Sequence, residues 1–336
     1  MHRRTFLASM AAPLGAQDPP RTRIAFLGGA HAHTPAKLAL VRQSPRYELA
    51  GLCEEDPAVR ARYQGVPFLD RAAALGDPSI RIIAVGSAVK DHARDSRQAL
   101  AAGKHVHVEK PPATTLAEFQ ALQEIAARGR LLLQPGYMWR HNPALKAALA
   151  AARQGWLGEI HTVRGTIDST ATADQRPEWE GFRGGQMFEL GCHLLDPAVR
   201  LLGRPLQATP FLRKHGNFAD NFTDNTVAVL EYPHAFAVIT SSALRPNAFR
   251  QRFFEVMGSR GTAMVRPIEP PLLELDLAQA AGPYPAGRST VKLPPYTRYA
   301  DDFTELEEAA RTGRPLSVTP EEDLLVQETL LRACGM

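Results

Sequence analysis

The sequence predicts an α/β protein of two domains: a doubly wound parallel sheet, followed by a half built on an antiparallel sheet. Three observations predict it. The chain has 336 residues, more than the ~250 at which single cores stop growing. From Arg23 onward, apolar strands alternate with helical patterns, the rhythm a parallel sheet requires. Beyond Gly155-Trp156-Leu157-Gly158 that rhythm gives way to alternating strands separated by Gly and Pro turns.

Composition is that of an ordinary globular chain, 44% hydrophobic and 22% charged. The net charge of +4 comes from 39 basic and 35 acidic residues scattered without a long basic run, which argues against nucleic acid as a partner. No internal run reaches the ~18 apolar residues of a membrane span. Cys53, Cys192 and Cys334 are far apart and form no CxxC pair, so neither a zinc ribbon nor a disulfide framework is expected.

Residues 1–20 read as a targeting segment and linker. His2-Arg3-Arg4-Thr5-Phe6-Leu7 runs into an Ala-rich apolar stretch ending Leu14-Gly15-Ala16, and Pro19-Pro20 follows. The pattern resembles a twin-arginine export signal and predicts a periplasmic or otherwise exported protein; a cytoplasmic one is the alternative.

Strands are expected at 23–27, 47–53, 80–85, 105–109 and 131–134, with helices at 35–44, 57–63, 91–102 and 115–128. Thr115 and Glu118 form a capping box for the last helix. The first strand–helix turn, Gly28-Gly29-Ala30-His31-Ala32-His33, stands where a dinucleotide fingerprint belongs, with Thr34 as N-cap and Pro35 at the first helical position. Only Gly28 of the three glycine positions survives. A methyl at Ala30 should crowd a pyrophosphate, and an imidazole at His33 should push helix from strand. A His-x-His chelate is conceivable here, but no metal is assigned. Strand two ends at Cys53-Glu54-Glu55-Asp56. Glu54 is placed to accept from a ribose hydroxyl, which favours NAD over NADP, while Asp56 suits a helix cap. The fourth strand delivers Glu109 and Lys110 at its carboxyl end, where open α/β sheets bind ligands, and Pro111 stops it.

In the second half, strands are expected at 160–167, 225–232, 235–243, 253–257, 262–266 and 272–277, with helices at 143–154, 298–312 and 320–333. Within Gly184-Gly185-Gln186-Met187-Phe188-Glu189-Leu190-Gly191-Cys192-His193-Leu194-Leu195-Asp196, a helix would carry Glu189, His193 and Asp196 on one face, within about 60°. Asp196 before Pro197 could instead cap a helix turn, and His193 could be a core histidine. Glu189 and His193 have no convincing third metal ligand.

Glu109-Lys110-Pro111 after Gly103-Lys104-His105-Val106, the Gly191-x-His193-x-x-Asp196 helix, and Trp156-Leu157-Gly158-Glu159-Ile160 together resemble the glucose-fructose oxidoreductase/inositol dehydrogenase/MocA-like family, in order and spacing, over residues 22–335. The resemblance implies a Rossmann domain over 21–142 and a substrate and oligomerisation domain over 143–336 with an open-faced, largely antiparallel sheet. It implies a homodimer or homotetramer through that sheet, and an NAD(P)-linked enzyme acting on a sugar or polyol. Carried over by position, Lys110 is the catalytic lysine and His193 the general base. Glu189 stands one methylene longer than the family's Asp. Gly28, Gly29, Ala30, His33, Glu54, Ser87, His92, Glu109 and Lys110 would line the cofactor. Ala88-Val89 replaces the family's Pro-Asn, while His92 keeps its place. Asp196, Asp168 and Arg176 are candidate substrate contacts, with Arg164, Trp179 and Arg245 beside them. An NAD-dependent glycoside hydrolase and a sugar-binding protein without catalysis are the alternatives.

Overall fold

The computed structural model describes residues 20–336; the export signal expected at 1–16 lies outside the described residues. Strands β1 (Thr22–Leu27), β2 (Tyr47–Cys53), β3 (Ile80–Val85), β4 (His105–Val108) and β5 (Leu133–Pro135) pair in the order β2-β1-β3-β4-β5, all parallel. Helices α1 (Thr34–Gln43), α2 (Pro57–Arg60), α3 (Arg71–Gly76), α4 (His92–Ala101) and α5 (Leu116–Gly129) connect them. The near-continuous apolar run of β1 and β3 is what burial on both faces demands, and Ile24, Phe26, Ile82 and Ile83 are inaccessible to solvent.

Local signals set the ends. Thr115 and Glu118 close the expected capping box on α5, and Asp56 caps α2 by accepting from the Ala58 amide. α2 stops earlier than its expected end because the chain turns there to lay Tyr63 against the Gly29 carbonyl. α3 was not expected; its signal is Asp70, whose carboxylate accepts from the Ala73 amide. Thr34 is not the N-cap of α1. It lies inside the helix, and its hydroxyl donates to the Gly86 carbonyl at 3.2 Å.

After α6 (Pro143–Arg153) come β6 (Ile160–Thr166), α7 (Arg176–Glu180), α8 (Cys192–Leu202), β7 (Gln207–Arg213), β8 (Asn225–Glu231), β9 (Phe236–Ser242), β10 (Phe253–Gly258), β11 (Gly261–Val265), β12 (Leu273–Leu277) and β13 (Gly287–Thr290), then α9 (Ala300–Thr312) and α10 (Pro320–Ala333). The strands form one sheet ordered β13-β12-β11-β10-β6-β9-β8-β7. It is antiparallel except for the β6–β9 pair, which is parallel. Its inner residues Val163, Ala228, Ile239, Val256 and Ala263 pack toward the helices, while Phe211 and Phe236 are exposed.

The closing helices split: α10 packs against α8 and β7 as well as α5, whereas α9 leaves the second sheet. The Tyr47 hydroxyl donates to the Phe303 carbonyl at 2.6 Å, and Arg81 donates to the Ala310 carbonyl at 2.8 Å. α9 therefore lies on the first domain and carries Tyr299, at its N-terminus, to the tips of the parallel strands.

Candidate active site

The first turn is zipped onto its neighbours. Gly28 has φ +77°, and a Cβ there would come within 2.4 Å of the Ser87 backbone, so glycine is required. The Gly29 amide donates to Glu54 Oε2 at 2.7 Å, while Glu54 Oε1 accepts from the Glu55 and Asp56 amides. Glu54 therefore holds the turn itself. His33 does not push α1 from the sheet. Its ring swings to the tip of β4, and the close helix–strand contact is made by Gly86, where a Cβ would come within 2.3 Å of Thr34 Oγ1. Among the described residues, the Ala30 and Ala32 amides have no hydrogen-bond partner in the protein. They stand at the start of a helix, where anions bind.

Glu109 is the electrostatic centre. Buried at the end of β4, it takes Lys37 on Oε1, and on Oε2 it faces His33 Nδ1 at 3.1 Å and His31 Nδ1 at 3.5 Å. Burial opposes its charge, but Lys37 and the two imidazoles outweigh burial and hold the carboxyl well below its usual range. Behind it, His107 Nε2 lies 2.8 Å from Lys37 Nζ, and His107 Nδ1 lies 2.8 Å from Gln134 Oε1. His92 is a strut, its ring nitrogens lying 2.8 Å from the Pro111 carbonyl and 3.0 Å from the Ser87 carbonyl.

Lys110 is fully buried and donates to Glu189 twice, to the carbonyl at 2.7 Å and to Oε1 at 2.5 Å. Burial works against the ammonium, and the Glu189 carboxylate more than compensates, raising its pKa. Two of its three protons are committed. Glu189 and His193 do not share one α-helical face as expected, because Met187–Gly191 is a π-turn that runs into α8. Gly191 permits this: a Cβ there would come within 2.2 Å of Met187 Sδ. Glu189 thus grips the lysine, and His193 stands beyond it, buried, with neither ring nitrogen hydrogen-bonded. Its ring packs 5.6 Å from Trp139 and 5.9 Å from His33. Burial, reinforced by Lys110 and His33, pushes its pKa well below the usual value, so the imidazole is neutral at pH 7.

The model of the NAD-binding Rossmann oxidoreductase family matches residues 22–137, and that of the GFO/IDH/MocA C-terminal domain matches residues 145–264. The chain belongs to the Gfo/Idh/MocA oxidoreductase family. It is 29% identical to an uncharacterized oxidoreductase, YdgJ of Escherichia coli, over 74% of this chain and 72% of that one. It is 26% identical to the bovine trans-1,2-dihydrobenzene-1,2-diol dehydrogenase over 56% of each chain. A solved aldose-aldose oxidoreductase of Caulobacter crescentus, complexed with glycerol, superposes with a TM-score of 0.79 at 22% identity, covering 94% of this chain and 98% of that one.

Within this Gfo/Idh/MocA architecture the remaining candidates fall outside the cluster. Asp196 caps no helix turn: it lies inside α8 and accepts from Arg140 at 3.0 and 2.7 Å. Arg140 also pairs with Asp323 at 2.6 Å, tying the turn before α6 to α8 and α10. Asp168 accepts from the Ser242 amide at 2.9 Å and pairs with Arg245 at 3.0 Å. Arg176 pairs with Asp220 and Asp224 and stacks on Phe218, so it braces a loop. Arg164 pairs with Glu255 on the sheet. Trp179 packs on Phe222. Sequence reasoning missed Lys37, Tyr137, Trp139 and Tyr299, which reach the site by topology. Only Lys37, four residues after His33 on the same helix, left a signal.

Proposed function

We propose that the protein oxidises or reduces a hydroxyl-bearing carbon of a sugar or polyol with NAD as hydride partner. The observation that carries this is the pairing of a buried, carboxylate-anchored Lys110 with a neutral His193 that has no partner. Three polar atoms around them are buried without partners, namely Ser87 Oγ and both ring nitrogens of His193. With the Ala30 and Ala32 amides and the Glu54 carboxylate, these suit a dinucleotide and a hydroxylated substrate. Glu54 would meet the adenosine ribose beside a cavity of about 380 Å³ lined by Phe68, Arg60 and Arg71. A 2′-phosphate there would face the Glu54 and Glu55 carboxylates, which favours NAD. Arg71 is committed to Asp95 at 2.7 Å.

When bound, the nicotinamide supplies the hydride acceptor. The third proton of Lys110 can donate to the substrate oxygen, and its fixed charge stabilises that oxygen as it becomes an alkoxide. His193, neutral near pH 7, can take the hydroxyl proton. Trp139 and Tyr137 pack beside His193 and keep the site dry, which strengthens both interactions. The open face of the second sheet, bearing Phe211 and Phe236, suits a homodimer or homotetramer contact. Export by the twin-arginine route would carry the folded protein to the periplasm. No helix among the described residues is long and apolar enough to cross a membrane.

The test is turnover of a sugar and polyol panel, read as NADH formation at 340 nm. Lys110→Ala and His193→Ala are expected to lower kcat by ~100-fold or more. Unchanged turnover in both variants would sink the assignment of roles.

A further inference from the structure

We propose that His31, His33 and Glu109 form a binding site for a divalent transition-metal ion of the zinc class. The fold brings together what the sequence keeps 76 residues apart: a His-x-His pair opening α1 and a carboxylate ending β4. Glu109 Oε2 lies 3.1 Å from His33 Nδ1 and 3.5 Å from His31 Nδ1. The three donor atoms all lie within 4.8 Å of one another. A tetrahedral ion with bonds of ~2.0–2.1 Å sets its ligands about 3.4 Å apart, so the two short edges already have the required length. Among the described residues this is the one such group of three.

The surroundings support a ligand here. His31 is 3% exposed, so an ion on its Nδ1 would be shielded from bulk water. Lys37 holds Glu109 by Oε1 and leaves Oε2 to the imidazoles, and the Lys37–His107–Gln134 chain fixes the carboxylate from behind. Supporting contacts of this kind orient metal-binding side chains. The opposing charges are Lys37, already paired with Glu109, and Lys110, neutralised by Glu189. One contact must yield: the His33 amide donates to His31 Nδ1 at 3.2 Å, a long bond that the ion would replace. Three protein ligands leave a fourth position open, as in zinc sites that exchange ligands. A groove of about 830 Å³ lined by His33, Arg298 and Tyr299 gives a route inward. The ion takes side chains, whereas the proposed nucleotide takes the turn's amides, so this proposal does not rest on the oxidoreductase reading.

The test is titration of chelator-stripped full-length protein with Co²⁺. The expected result is one ion per chain with intense visible bands of a four-coordinate site, displaced by Zn²⁺. His33→Gln and Glu109→Gln should each weaken binding at least ~100-fold, beyond the loss typical of a merely supporting contact. Zinc should raise the Tm of the parent protein and not that of either variant. X-ray absorption on the zinc-loaded parent protein, independent of any variant's folding, should show imidazole and carboxylate ligation without sulfur. No stoichiometric binding, equal binding by both variants, or sulfur in the zinc shell would overturn the proposal. NADH binding measured on the metal-free protein keeps the two readings separate.

Discussion

Glu189→Gln tests the grip on Lys110 most sharply, because it removes one charge and little volume. The parent lysine is fully buried and donates to the Glu189 carboxylate at 2.5 Å and to its carbonyl at 2.7 Å. Removing one partner of a buried pair costs ~3–5 kcal/mol, since the other charge is left uncompensated. The carbonyl survives the substitution, so the lower end applies, about 3 kcal/mol. At ~2–4 °C per kcal/mol for a domain of this size, the melting temperature should fall by roughly 6–12 °C. Activity should fall with it, by at least ~10-fold in kcat/KM, because the ammonium is no longer held in place for the substrate oxygen. Glu189→Asp keeps the charge on a shorter arm and should lie between. The assays are thermal unfolding by circular dichroism and steady-state kinetics on the same preparations. A variant melting within about 1 °C of the parent with unchanged kinetics would refute the reasoning.

Other outcomes follow from particular contacts. Gly28→Ala places a methyl within 2.4 Å of the Ser87 backbone at φ +77°. It should cost ~2 kcal/mol or more and weaken NADH binding at least ~10-fold, as titration would show. Asp302 is buried with Oδ2 unpartnered, and burial raises its carboxyl to about 6 despite His141, Lys37 and Arg140 nearby. Its folded pKa lies above its unfolded value, so its contribution is fully present below pH ~4 and lost as pH rises through about 6. D302N should therefore gain stability relative to the parent between pH 5 and 7.5 in thermal melts; a constant difference would contradict this. Asp196→Asn, which loosens Arg140, should lower stability by ~2–3 kcal/mol with kcat/KM of the folded protein within about threefold of the parent. Loss of activity at unchanged stability would place Asp196 against the substrate instead.

The parallel sheet was legible because β1 and β3 are short, β-branched apolar runs alternating with helical patterns, and because Asp56 and Thr115 announce their helices. The Lys110 and His193 positions were legible because each stands in a short motif at a strand or helix end. What could not be read depends on tertiary pairing. β7, with Pro210 in it, and β13, which pairs only with β12, lack an alternating pattern strong enough to stand alone. The parallel β6–β9 pair joins strands separated by a long excursion, which no local signal encodes. The π-turn at Met187–Gly191 rotates Glu189 toward Lys110, and only the packing of Met187 against Gly191 reveals why. His33 looked like an obstacle to helix packing. Its actual direction is set by Glu109, from a strand whose neighbour in space the sequence does not name.

On the reading proposed above, the turn from Gly28 to His33, with Lys110 and His193 beyond it, binds a nicotinamide nucleotide for hydride transfer. The most direct measurement is titration of the purified protein with NADH, read as energy transfer from tryptophan, since Trp139 packs 5.6 Å from His193. Saturable quenching with sensitised NADH emission is expected at one nucleotide per chain, tighter than for NADPH. No binding of either nucleotide at millimolar concentration would contradict it.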